Sequence, residues 1–189
     1  MKKTLLASLI LSAVGAAYAA PVKYEIDPTH TTASYEVNHL GMSLQSGTFS
    51  QIKGNLLVDE AAKAARVDVT IPTATLNSHL AKRDEHLKSA DFFDVAKYPT
   101  MRFVSDKVLF KDGKPSSIDG QLTLLGVTKP VTLKVHFAAK QANPMSGVET
   151  WGVNATGQLK RSEFGMKTYL PGIADEVKLD IALEAPKAQ

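Results

Sequence analysis

His79, Arg83 and His86 are the residues of this 189-residue chain whose types and spacing come nearest to chemistry. On a helix they would share one face at i, i+4 and i+7, the layout of a metal or acid–base cluster. The two imidazoles would then stand two turns apart, about 10 Å along the axis, with a cation between them. That is too far to share one ion, so a solvated or hydrogen-bonded face is the better account and no metal is expected. Ser, His and Asp are numerous, but there is no G-x-S-x-G elbow and no spacing that singles out a nucleophile. Asp59-Glu60 and Asp175-Glu176 fall in turn-like stretches and read as solvated charge, not as an acid–base pair. The absence of Cys excludes thiol catalysis, disulfides and thiolate metal sites. What remains is apolar: Tyr35, Phe49, Phe92, Phe93, Met101, Phe103, Phe137, Trp151, Phe164 and Met166, which either pack a core or line a cavity.

The elements that must position these residues are mostly strands. Tyr35, Val37 and His39 alternate with Ser34, Glu36 and Asn38, and Val67, Val69 and Ile71 alternate with Arg66, Asp68 and Thr70. The same period of two runs through Val131, Leu133, Val135 and Phe137 and through Val177, Leu179, Ile181 and Leu183. A sheet with one apolar face needs a second sheet or must close on itself, because helices are too few to cover it. The runs Met101 to Phe110 and Gly120 to Ala138 are long, with Pro130 making a turn or an edge in the second. Long antiparallel strands favour a mainly β, single-domain barrel of about eight strands, wide enough for a small ligand. Gly54, Gly120 and Gly157 each precede a polar and then an apolar residue, as bends or close approaches that help the sheet curl, or as ordinary strand starts.

One helix interrupts the strands near residues 78–90, capped by Asn77 or Ser78, with Asp84 and Lys88 as an i,i+4 pair on its wet side. It leads into Ala90-Asp91-Phe92-Phe93-Asp94 and the Tyr98-Pro99 stop. The whole segment from Arg83 to Pro99 reads as a lid or plug whose rings turn toward an apolar interior.

The N-terminus carries Lys2 and Lys3, an apolar run from Leu5 to Val14, and Ala17-Tyr18-Ala19. This is the pattern of a secretory signal peptide over residues 1–19, with a domain over 20–189 and cleavage before Ala20. Its removal takes the formal charge from +3 to about +1, which leaves no nucleic-acid footprint. The mature chain has no second apolar run long enough to cross a bilayer and no Cys for a lipid anchor, so an exported, soluble protein is expected. An exported chain without disulfides leans weakly toward a bacterial periplasm.

Asp27 with His30, His39-Leu40-Gly41, Gly47-Thr48-Phe49, the run from Arg83 to Asp94, Tyr98-Pro99, Leu122-Thr123-Leu124, Gly126 to Val131 and Phe164-Gly165-Met166 together resemble the YceI-type family of bacterial periplasmic, lipocalin-like polyisoprenoid-binding proteins. The resemblance spans nearly the whole mature chain. It implies an extended antiparallel, up-and-down, lipocalin-like barrel that holds a polyisoprenoid, an isoprenoid quinone or a fatty amide, with no cofactor required and no catalysis. On that basis the tail lies among Tyr35, Phe49, Phe92, Phe93, Phe103, Leu122, Leu124, Phe137 and Trp151. Arg83, His86 and His39 are the headgroup candidates, Arg83 with the alternative of an ion pair to Asp91 or Asp94. An enzyme acting on a lipid headgroup and a packed barrel without ligand are the rival classes. The family analogy allows a homodimer, although no residue pattern demands one.

Overall fold

The computed structural model describes residues 20–189; the expected signal peptide lies outside them. In chain order the strands are β1 (Val22–Glu25), β2 (Thr32–His39), β3 (Ser43–Phe49), β4 (Lys53–Asp59) and β5 (Ala64–Pro72). After a 3₁₀ turn at Thr73–Thr75 and helix α1 (Ala81–Lys88) come β6 (Thr100–Lys111), β7 (Lys114–Leu124), β8 (Val127–Ala142) and β9 (Glu149–Lys160). A second 3₁₀ turn at Arg161–Phe164 precedes β10 (Ile173–Pro186).

All ten strands form one antiparallel sheet in the order β1-β4-β5-β6-β7-β8-β9-β10-β2-β3. From β4 to β10 the path is a simple meander, as expected of an up-and-down barrel. The strand count is ten, not about eight, because the short β1 and the β2–β3 hairpin attach to opposite ends of that meander. The sheet curls, and both free edges are partly covered. Tyr24 of β1 bridges to Lys187 beyond β10, while Thr48 of β3 exchanges two 2.9 Å backbone bonds with Asn77.

Curling needs close strand contacts and breaks in register. A Cβ at Gly54, Gly120 or Gly157 would lie 2.0, 2.5 or 2.8 Å from an atom of the neighbouring strand, so all three are close approaches. Register shifts between Ser105 and Lys107 in β6 and between Val135 and Phe137 in β8 bend the ladder. The turn after β7 falls at Leu125-Gly126, both at positive φ, and Pro130 lies within β8. There β8 pairs with β7 alone, since its pairing with β9 begins at Leu133, so a residue without an N–H costs no ladder bond.

Apolar residues of β4 to β7, such as Leu56, Val69, Phe103 and Leu122, are buried in the core. On β2 and β8 to β10 small or single residues such as Ala33, Val131 and Ala155 are buried, but most large inward residues, including Tyr35, Leu133, Leu159, Leu179, Ile181 and Leu183, are only partly buried. They face a hollow interior and not a solid pack.

Candidate functional site: an apolar lumen with one mouth

The hollow is a cavity of about 910 Å³, within the range of natural ligand pockets. Its wall combines the buried side of the sheet with the partly buried one. Of the residues expected at a bound tail, Tyr35, Phe49, Phe92, Phe93, Phe103, Leu122, Leu124 and Trp151 all line it. Phe137 does not: it is 53% exposed. The β8 register shift lies immediately before it and inverts the alternation that Val131, Leu133 and Val135 establish, turning its ring to the outer face.

The cavity opens at one end. Its exposed lining residues are Leu40, Ser46, His86 and Tyr169, and all belong to segments gathered where β2, β5, β7 and β9 end. Three of these segments form the mouth. They are the β2–β3 hairpin, the span from Thr73 to Pro99 with α1, and the link between β9 and β10.

Helix α1 is shorter than the 78–90 span expected. It begins after Leu80, with no side-chain cap. Asn77 instead accepts the His79 N–H at 2.8 Å, His79 sits at φ 65°, and Ser78 turns inward, fully buried. His79 is therefore outside the helix, and the face shared by His79, Arg83 and His86 does not exist. No group of three or more metal-ligating side chains occurs among the described residues. Asp84 serves Ser78 and not Lys88 as its hydrogen-bond partner, accepting the backbone N–H at 2.7 Å and the hydroxyl at 2.5 Å. Burial pushes its carboxyl up, but these two bonds, with Lys88 and Arg83 nearby, leave its pKa below the ordinary carboxylate value.

Arg83 lines the cavity and is half-buried. Its Nε donates to Ser78 Oγ at 2.9 Å, one terminal nitrogen to Gln45 Oε1 at 2.7 Å, and the other to the Ser78 carbonyl. Among the described residues it forms no ion pair with a carboxylate; Asp91 is taken by His86, at 3.0 Å. The hydrogen bonds use three of the five guanidinium N–H groups. His86 also meets Phe92 edge-on at 5.2 Å and Tyr169 at 6.0 Å. His39 lines the cavity at the end of β2.

Phe92 is buried and Phe93 half-buried, the latter edge-on to Phe49 at 5.3 Å. The segment after α1 thus plugs its rings into the wall, held by bonds from Phe93 N to Leu87 O (3.0 Å) and from Thr73 Oγ1 to Tyr98 O (2.8 Å).

Arg161 escaped the sequence reading. It is 3% exposed, and its guanidinium donates to four backbone carbonyls, those of Ala174, Met166, Thr168 and Ile173, at 2.9 to 3.1 Å. Burial lowers its pKa while Asp175 opposes that. The side chain clasps the loop that carries Met166 and Tyr169 to the mouth. Gln45 was also missed, and only its β3 position, two residues before Gly47, could have marked it as inward.

No helix among the described residues is long and apolar enough to cross a membrane. The model of the YceI-like domain matches residues 24–185. Protein YceI of Escherichia coli O157:H7 is 42% identical over 189 residues, covering 97% of each chain. A UPF0312 protein of Pseudomonas putida is 41% identical over 193 residues, covering 99% of this chain and 98% of its own. Among solved structures, the Campylobacter jejuni YceI protein superposes with a TM-score of 0.68 at 32% identity over 80% of this chain and 90% of its own. A Saccharophagus degradans structure described as a polyisoprenoid binding domain shares the fold, with a TM-score of 0.66 at 14% identity over 88% of this chain and 99% of its own. By both its sequence and its curled ten-stranded sheet, the chain belongs to the YceI-like domain family.

Proposed function

We propose that this chain binds a long-chain amphiphile, a polyisoprenoid, isoprenoid quinone or fatty amide, and carries or stores it in the periplasm without chemical change. The observation that carries this reading is the lumen of about 910 Å³, walled almost entirely by hydrocarbon and aromatic side chains and open beside a half-buried arginine. Each methylene moved from water into such a wall contributes about 0.8 kcal/mol, so a long tail is held with few polar contacts. The description of the Saccharophagus degradans neighbour as a polyisoprenoid binding domain supports the ligand class.

Tyr35, Phe49, Phe92, Phe93, Phe103, Leu122, Leu124 and Trp151 are the proposed tail contacts. Arg83 is the leading headgroup contact, because its two remaining N–H groups suit a carbonyl or phosphate oxygen. His39 lies on the same end, while His86 is already paired with Asp91 and is the weaker candidate. Export by the N-terminal segment and the absence of catalysis belong to the same proposal.

Protein purified from a bacterial envelope should release a long-chain amphiphile on solvent extraction, identified by mass spectrometry, and should melt at higher temperature with it than without. Emergence without lipid, together with a melting temperature that no added lipid raises, would sink the proposal. Arg83→Ala should weaken binding of a phosphate- or carbonyl-headed ligand while leaving a headless hydrocarbon unaffected.

A further inference from the structure

The apolar character of the lumen does not stop at its mouth. Leu40 and Tyr169 line the cavity yet are well exposed, and around them stand Met42, 84% exposed, with Leu44 and Leu80. These five come from three separate segments. Two are presented at positive φ, Leu40 at 56° and Tyr169 at 62°, a conformation that costs a large side chain about 1 kcal/mol. The Leu40 N–H bonds to the Gly172 carbonyl at 2.7 Å, so the hairpin and the loop clasped by Arg161 are joined under this rim.

At the opposite end, the turn residues Asp59 to Lys63 and Lys111 to Lys114 are charged or small, and Met145 is the one large apolar residue exposed in its turns among the described residues. Leu57 and Leu109, 37% and 39% exposed on the strands near that end, and Met145 do not line the cavity, whereas an apolar rim around an apolar opening marks a surface that meets a partner.

Resting on the lipid-binding reading above, we propose that this rim docks on the surface of a lipid bilayer, so that an amphiphile passes between membrane and lumen without crossing water. A second copy seated on the same rim would seal the opening by which a ligand enters. The charges near the rim are of both signs: Lys82, Arg83, Lys88 and Lys167 stand with Asp84, Glu85 and Asp91. Docking is therefore driven by insertion of apolar side chains and does not depend on anionic lipid.

The test uses uncharged phosphatidylcholine vesicles and a dansyl-labelled farnesyl chain as probe. Met42, Leu44 and Leu80 do not line the cavity, so Met42→Ser/Leu44→Ser/Leu80→Ser leaves the lumen as it is. The wild-type protein should float with vesicles, to the same extent when salt is raised from about 0.1 to about 0.5 M. The triple variant should lose about tenfold in vesicle binding and in the rate of probe uptake from vesicles. Its affinity for probe dispersed in dilute detergent should be unchanged, and Met145→Ser, at the other end, should alter nothing.

Docking is overturned if the wild type does not float, or if the variant takes up probe from vesicles at the wild-type rate. It is equally overturned if the variant alters only self-association. If the wild type floats but takes up no probe from vesicles or detergent, the lipid-binding reading fails while docking stands. Should the triple variant melt early, Leu80→Ser alone, outside any strand, carries the same comparison.

Discussion

At the base of the barrel, β4 and β5, β6 and β7, and β8 and β9 are joined by short turns, charged or small but for the one that carries Met145, and the side chains there are tied to one another. Tyr24, 1% exposed, donates to Glu149 at 2.6 Å, and Lys140 reaches both Glu149 and Glu60. Burial, and then the bond to Glu149, push the Tyr24 phenol above its ordinary pKa, while that bond holds Glu149 below its own. At the mouth, the links after β5 and β9 are long, carry the helix and both 3₁₀ turns, and are tied chiefly to backbone, through Arg161, Thr73 and Ser78. The polar groups of the base thus close one end of the barrel. Those of the mouth hold irregular segments in place around an opening.

Substitutions at the two ends should separate stability from ligand traffic. The largest effect is expected from Tyr24→Ala, which removes a fully buried ring and should cost about 3 to 5 kcal/mol in chemical denaturation, whether or not ligand is present. Arg161→Met should cost about 2 to 3 kcal/mol and, by hydrogen exchange, should expose the 165–173 loop ahead of the sheet. An equal loss of protection at both ends would break the distinction between them.

Val153→Trp places a large ring in the lumen from a partly buried lining position. It should reduce lipid capacity severalfold in a titration while changing stability by no more than about 1 to 3 kcal/mol. Undiminished capacity would mean that the tail does not enter this lumen.

Acidification gives a smaller, signed effect. Asp84 at the mouth and Glu149 at the base both have pKa values depressed below the unfolded ones. Their stabilisation is complete above the ordinary carboxylate range and is lost as pH falls through the depressed folded values. Asp84→Asn should remove Asp84's part of that acid sensitivity and leave the parts of Asp175, held low at the mouth against burial by two bonds from Ser162, and of the base, read as melting temperature against pH below about 4. The smallest effect should come from Phe137→Ser, within about 0.5 kcal/mol, since its ring lies outside the wall.

The strands were legible wherever one face is apolar, because alternation follows directly from the pleat. That reasoning placed Tyr35, Val69, Leu133 and Leu179 inward, and it failed at Phe137, where a register shift that no residue type announces reverses the faces. Helix α1 was legible as a helix but not in its limits: Asn77 and Ser78 are good caps by type, yet the packing of Asp84 draws Ser78 inward. Arg161 was not legible at all, since its four partners are backbone carbonyls, which carry no sequence signal.

The sequence by itself determined a β-rich chain with one helical interruption and a surplus of inward rings, because period and residue volume are local properties. Only the tertiary structure decided that the rings surround a hollow, that the hollow opens at one end, and which three segments meet there. Those outcomes depend on how ten strands curl and on which long-range bonds hold the links, and neither is written in the spacing of neighbouring residues.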